Sequence, residues 1–429
     1  MAGFQGPLHA RHSLVARLTG DTFASFEIVD FRHLYIGNIT SQLSIWMQQL
    51  VFSWLLLELG NSPFWLGLGG LLIGLTLAGT APLSGVLADV VNRRWLMFFT
   101  QGLMLAVNAA TLALLLLDWL QIWHLLLAMV CMGVAFSFNM PARQAWTIEI
   151  VGRRLLHNAT ALHGASLNVT RVVGPALAGT LMATFSSATV LALNLPANVW
   201  TLYQLTRISH RPSPPTTVGG LRGGALLEGF GYCWKHPVLR LVVVSLSLTS
   251  FVGGAYVQLL PALARNELGG GPDGLGVLTS ALGGGAILGS LLIARRDPGK
   301  DKASSLLIIG SILGLLLVGL GLSRWLPLTA GLLAVAGLCN AVLFAVSTSA
   351  ISELAPERLV GRAMGVLMMT LAIMPIGSFP AGALASIAGT GSAIALYGGI
   401  CALASLALAI GSRHNSFPML RPSPTRAEP

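Results

Sequence analysis

The chain has 429 residues, of which 54% are apolar and only 9% charged, with a mean hydropathy of +0.76. A soluble domain carries about 25% charged residues, so a water-soluble enzyme of this size is excluded. The net charge of +10 does not point to nucleic acid, because the basic residues fall in short connections rather than on one face of a domain.

A helical span needs about 20 apolar residues to cross roughly 30 Å of hydrocarbon. On that basis spans are predicted near 34–57, 63–88, 95–117, 122–141, 159–182 and 188–206, then near 238–262, 275–294, 303–322, 328–350, 361–387 and 391–412. Only helices or closed barrels satisfy their backbone in lipid, and these runs are too long and uniformly apolar for barrel strands. Residues 1–33 read as a cytoplasmic N-terminal segment and 413–429 as a cytoplasmic tail. They frame an N-terminal six-helix bundle over 34–206 and a C-terminal one over 238–412. Between these, 207–237 is a polar linker, rich in Pro, Ser and Gly, whose last third is expected to form a short interfacial helix carrying Phe230, Tyr232 and Trp234.

Charge tests this topology. Of the 25 Lys and Arg, 22 fall on alternate connections that lie on one side; only Arg265 and Arg324 fall on the other, and Arg171 lies within a span. This is the positive-inside bias of a polytopic protein with both termini in the cytoplasm. An internal repeat supports the division into halves. Glu149, Arg154, Leu155 and Ala159 recur as Glu353, Arg358, Leu359 and Ala363 at a constant offset of 204 residues, after the fourth and tenth spans. Two similar halves about a central path form a carrier architecture, so movement of a solute is the leading expectation.

After the second span stands Gly85-Val-Leu-Ala-Asp89-Val-Val-Asn92-Arg93-Arg94. Gly85 permits close helix approach, Asp89 is placed to cap a neighbouring helix or pair with Arg93 or Arg94, and Asn92 tolerates a left-handed turn. Gly85, Asp89, Arg93 and Arg94 together suit a clasp that holds one conformational state. Further on come Pro141-Ala-Arg143-Gln144, Asn168-Val-Thr-Arg171 and Gly174-Pro175, closed by Gly179. A Gly-Pro pair removes a helical hydrogen bond and kinks or loosens the helix, so Gly174, Pro175 and Gly179 are read as a kink.

These stretches resemble the major facilitator superfamily, in the branch containing enterobactin-type siderophore exporters and related bacterial efflux proteins. The resemblance covers nearly the whole chain. It departs from the usual clasp motif at Val90 and Asn92, and it lacks an acid at Ser44-Ile45 of the first span. The resemblance implies the major facilitator fold, an all-α membrane protein of twelve transmembrane helices in two pseudo-symmetric six-helix bundles. It implies secondary active export of a small amphipathic molecule (siderophore, drug or metabolite) by alternating access from the bacterial inner membrane. Antiport with protons as coupling ion comes only from the resemblance, since none of the 15 Asp and Glu lies deep in a span. The fold equally admits an importer or a lipid or metabolite carrier, and a transport-inactive sensor or scaffold is the alternative of another class.

Arg171 is the strongest single residue. A lone charge in a span costs on the order of 2.5–3.5 kcal/mol on insertion scales, so it is expected to face a polar cavity or a partner. With Arg171 we place Gln48, Gln49, Asn139, Arg143 and Asn168 of the first half, and Gln258 and Asn340 of the second, on the substrate path. His163 and His124 are titratable, though a lone His near a span end reads more readily as structural. The four cysteines are scattered without metal-ligand spacing, and no H-E-x-x-H or P-loop occurs, so neither metal, cofactor nor catalytic residue is expected. The expected partners are a small-molecule substrate and membrane lipids, with no nucleic acid, and the protein is expected to be a monomer.

Overall fold

The computed structural model describes residues 20–210, 224–295 and 302–414. Every regular element in it is helical. A 3₁₀ turn over Gly20–Glu27 leads into α1 (Val29–Gly60), α2 (Pro63–Val90), α3 (Arg93–Leu116), α4 (Ile122–Thr184) and α5 (Ser187–Arg207). Then follow α6 (Gly224–Lys235), α7 (Pro237–Ala262), α8 (Pro272–Arg295), α9 (Lys302–Leu322), α10 (Leu326–Leu354), α11 (Glu357–Ala388) and α12 (Thr390–His414). Each predicted span falls on one of these helices, and α6 covers the short helix expected at the end of the linker. Among the described residues nine helices are long and apolar enough to cross a membrane by length and composition. Large apolar side chains face outward along them, including Leu315, Leu322 and Leu403, each at least 65% exposed. Trp95, Trp119 and Trp325 stand exposed near helix ends, where amphipathic rings favour the membrane–water boundary.

The fourth and fifth predicted spans both fall within α4, whose 63 residues are two helices joined across a break at Gly152, in the loop expected between them. A straight helix of that length would run about 95 Å, far beyond a bilayer. It turns at Gly152, whose φ of +68° and ψ of 172° lie outside the helical region and suit glycine because no Cβ clashes there. The reversal is visible in a side-chain contact: Thr147 Oγ1 lies 3.5 Å from His163 Nε2, whereas 16 residues of straight helix would separate them by about 24 Å. Thus α4 has a first arm before Gly152 and a second arm after it. Of the residues read as a kink, Pro175 lies inside the second arm of α4, and Gly174 permits close approach: a Cβ there would come within 2.7 Å of Trp46 Cβ on α1.

By their contacts the residues form two units. The first comprises 1–52 and 76–219, the second 53–75 and 220–429. The divide at 219/220 falls inside the linker, of which 211–223 lies outside the described residues. Residues 53–75, the tip of the α1–α2 hairpin, precede the linker in sequence yet group with the second unit. Arg265 donates to the Leu57 carbonyl at 3.2 Å, and Ser378 Oγ donates to the Gly67 carbonyl at 3.1 Å.

Within the first unit an apolar cluster of Leu34, Leu96, Met97, Ala142, Trp146, Leu205 and Ile208 joins α1, α3, α4 and the end of α5. Asp30 ties down that end, its carboxylate accepting from the backbone N–H of Ser209 at 2.9 Å and His210 at 2.8 Å. In the second unit the helices cross through glycine. A Cβ at Gly254 of α7 would overlap the Met374 carbonyl of α11, and one at Gly285 of α8 the Ala334 carbonyl of α10. Gly377 meets the Phe251 carbonyl in the same way, and Gly321 that of Gly391. Small residues let backbones touch, which substitutes for the hydrophobic drive that lipid does not supply between helices.

Candidate functional site

The repeat noted in sequence reappears as a pair of ion pairs. In the first unit Glu149, on the first arm of α4, pairs with Arg93, which opens α3. In the second, Glu353 near the end of α10 pairs with Lys302, which opens α9. The two carboxylates are the repeat-equivalent residues, and the two cations begin the third span of their respective halves. Glu353 also accepts from Ser349 Oγ at 3.0 Å, and these hydrogen bonds hold its carboxyl below the usual glutamate range.

Of the clasp expected after the second span, Arg93 forms the ion pair with Glu149. Arg94 donates to the carbonyls of Ile208 at 3.2 Å and Thr206 at 3.3 Å, with its guanidinium over the Phe98 ring. Asn92 does not take a left-handed conformation. It sits at φ −57° as the N-cap of α3, its side chain accepting from Arg94 N–H at 3.0 Å. The surroundings of Gly85 and the side chain of Asp89 lie outside the described residues.

The first unit has a polar interior built on α1. Its stripe of Asn38, Ser41, Gln42, Ser44 and Gln48 is buried throughout. Residues at three- and four-residue steps share a helical face, and here that face turns toward α3, α4 and α5. Gln101 of α3 donates to Ser41 Oγ at 2.8 Å. On α5, Asn198 Oδ1 accepts from Ser44 Oγ at 3.4 Å and Asn194 donates to the Ser44 carbonyl at 3.4 Å. Asn139, on the first arm of α4, donates to Thr100 Oγ1 at 2.9 Å. Arg143, one turn further on, donates to Asn38 Oδ1. Arg171 of the second arm sets its guanidinium 5.6 Å from the Trp46 ring, a cation–π geometry.

Gln48 differs from its neighbours. It is fully buried, and among the described residues neither its amide oxygen nor its nitrogen has a hydrogen-bond partner. Trp46 Nε1 and Asn198 Nδ2 are likewise buried and unpartnered. Leaving such a group unsatisfied costs about 1–3 kcal/mol, so these three residues concentrate unmet hydrogen-bonding capacity around the middle of α1. Gln49 and Asn168 are half-buried.

In the second unit Asn340 of α10 donates to Tyr256 OH of α7 at 2.7 Å, and Gln258 lies half-buried half a turn beyond Tyr256. The residues expected on the substrate path thus divide between the units, six in the first and two in the second. Asn38 and Tyr256 are the hydrogen-bond partners of Arg143 and Asn340. The sequence shows Asn38 as part of a polar stripe but not as the partner of Arg143, 105 residues away. Among the described residues no group of three or more His, Cys, Asp or Glu is placed to hold a metal ion.

Comparison with known proteins supplies the family. The sequence profile of the transmembrane secretion effectors matches residues 20–421. The multidrug efflux pump Tap of Mycolicibacterium fortuitum is 26% identical over 360 residues, which is 79% of this chain and 85% of the pump. The enterobactin exporter EntS of Shigella flexneri is 25% identical over 346 residues, 78% of this chain and 80% of the exporter. Among solved structures, a point mutant of the nucleoside transporter NupG superposes with a TM-score of 0.69 at 12% identity, covering 88% of this chain and 99% of that one. That likeness shows the fold.

Proposed function

Because the chain belongs to the transmembrane secretion effector family of the major facilitator superfamily, we propose that it exports a small amphipathic molecule by alternating access. It is a multi-span transporter of the bacterial inner membrane with efflux-pump relatives, and not an enzyme. The direction, the class of cargo and the residues that bind it are our reading. The efflux of drugs by one relative and of a siderophore by another supports outward movement of molecules that combine apolar and polar parts. On this reading the six-helix halves move as bodies, both termini lie in the cytoplasm, and a single copy is the working unit.

One observation carries the proposal: the buried Gln48 amide with no partner, about one helical turn or less from Trp46 and Ser44 on α1. A bundle that served only as a scaffold would gain stability by replacing such a group with an apolar one. Binding of a cargo's polar atoms repays the cost only when cargo is present. Arg171, Arg143, Asn168 and Asn139 on α4 supply the remaining polar face, with Gln49 beside Gln48. Gln258 and Asn340 supply that of the second unit. Trp46 supplies an apolar and aromatic surface.

The test is transport in inverted membrane vesicles or proteoliposomes against a panel of siderophores, drugs and metabolites. Wild type is compared with Gln48→Leu and Arg171→Ala, each first shown to be monodisperse and folded. Energy-dependent accumulation of a panel member that both variants lose supports the reading. Unchanged accumulation in both variants would overturn the assignment of the site. Movement only in the opposite direction would overturn export.

A further inference from the structure

His163 is held by hydrogen bonds that specify its proton. Arg143 only donates, so the Asn38 amide must present its oxygen to Arg143 and its NH₂ to the other side. That NH₂ lies 3.1 Å from His163 Nδ1 and 3.3 Å from Ser166 Oγ. Ser166 spends its own hydroxyl proton on the His163 carbonyl at 2.8 Å. His163 Nδ1 therefore accepts, and carries no proton. At the other ring nitrogen, Thr147 donates its hydroxyl proton to the Arg143 carbonyl at 2.8 Å. It can then only accept from His163 Nε2 across their 3.5 Å contact. Both sides of the ring demand the same neutral tautomer, with the proton on Nε2.

We infer that His163 is a proton acceptor whose protonation releases Arg143, with Asn38 as the positioning residue that links the two. When Nδ1 takes a proton from water, a new N–H points at the NH₂ of Asn38. The clash is relieved if the amide turns over and offers its oxygen to His163. It then faces its NH₂ toward Arg143, which must give up its bond to α1. The bond from Arg143 to Asn38 and a proton on His163 Nδ1 therefore exclude one another. Among the described residues, the charged or titratable groups that face His163 are Arg143 from the first arm of α4 and Tyr35 from α1. The Tyr35 ring lies 5.7 Å from the imidazole, and its hydroxyl donates to the Leu162 carbonyl at 3.2 Å. Phe31 closes a further side edge-on at 5.7 Å. A guanidinium released in this way is free to meet an acidic group of a cargo, so proton binding at His163 and acid binding at Arg143 favour one another. This deepens the transport reading by giving it a proton site in a protein with no acid deep in its predicted spans. The switch itself is read without any cargo, so the two stand or fall separately.

The experiment is nitrogen NMR of the full chain, histidine-labelled and in lipid nanodiscs, with the His163 signals identified by their loss in His163→Gln. At mildly alkaline pH wild type should show Nε2 protonated and Nδ1 bare; the opposite tautomer would overturn the proposal without any further variant. The His163 titration midpoint is then followed in Arg143→Met, in Asn38→Leu and in the double variant. Freeing the amide should raise the midpoint by about one pH unit or more when Arg143 is replaced in the presence of Asn38. The same replacement in Asn38→Leu should raise it by less than half as much. Equal shifts in the two backgrounds would mean that Arg143 acts by charge alone and that Asn38 links nothing.

Discussion

The two units carry the same rim lock and opposite interiors. Each closes its third span against the end of the following span with a repeat-related carboxylate, Glu149 with Arg93 and Glu353 with Lys302. Inside, the first unit is joined by side-chain hydrogen bonds from Asn38, Ser41, Ser44, Gln101, Asn139, Arg143, Asn194 and Asn198. The second is joined by backbone touching backbone at Gly254, Gly285, Gly321 and Gly377. Glycine crossings fix helices at one separation, because a carbonyl and a Cα have no alternative rotamers. Amide and hydroxyl networks can exchange partners at little cost when water or a ligand substitutes. The repeat thus persists at the ends of the bundles, while their middles diverge. On the transport reading, the first unit carries the adaptable polar face and the second the stiff frame.

The largest expected effect comes from breaking the frame. Gly254→Val and Gly285→Val place atoms where the Met374 and Ala334 carbonyls stand. Overpacking of a filled interior costs about 1–3 kcal/mol and more where backbone must move, so both variants should lose most monodisperse protein and show a lowered Tm. The control lies in the first unit. At Gly102 and Gly164 an added Cβ meets nothing within 4 Å, so alanine there should be neutral or stabilise by about 0.5–1 kcal/mol through helix propensity. Equal losses at all these glycines would erase the contrast.

A middle-sized effect separates stability from function within the polar interior. Gln48→Leu removes two unmet hydrogen-bonding atoms and should leave the Tm unchanged or raise it, by up to about 1–3 kcal/mol in stability. In the second unit Asn340→Leu instead deprives Tyr256 of a bonded partner and should cost about 1 kcal/mol. If Gln48→Leu is the more damaging of the two in thermal unfolding, the amide is structural.

The smallest effect sharpens the comparison of the rim locks. The carboxyl of Glu353 is held below its ordinary range by hydrogen bonds from Lys302 and Ser349. A depressed carboxyl contributes stability that is complete above the ordinary glutamate range and is lost as pH falls through its lowered value. Acid unfolding should therefore begin slightly earlier in Glu353→Gln, and that variant should lose part of the slope of stability against pH in the acid range. Because Glu353 is 61% exposed, solvent screening keeps the gain small. Glu149, 15% exposed beside Arg93, should give the larger loss when changed to Gln, because removing one partner of a sheltered pair leaves the other charge uncompensated. A larger loss at Glu353 than at Glu149 would reverse this ranking of the two locks.

The helices, their membrane setting and the repeat that relates their ends can be read along the chain alone. These follow from the length of the apolar runs, from the alternation of Lys and Arg, and from a repeat short enough to read by eye. Lipid imposes the first two constraints on each segment separately, so no knowledge of neighbours is needed. Arg171 and Gln48 were legible as polar groups that a span must account for. Tertiary structure alone set Trp46 under Arg171 and left the Gln48 amide without a hydrogen-bond partner among the described residues. It also decided that the turn of α4 falls at Gly152, that Asn38 holds both Arg143 and His163, and which glycines carry a crossing. Fifty glycines look alike along a chain. What distinguishes Gly254 from Gly164 is a carbonyl brought close from Met374, far along the chain, and such a distance is fixed by packing and not by local composition.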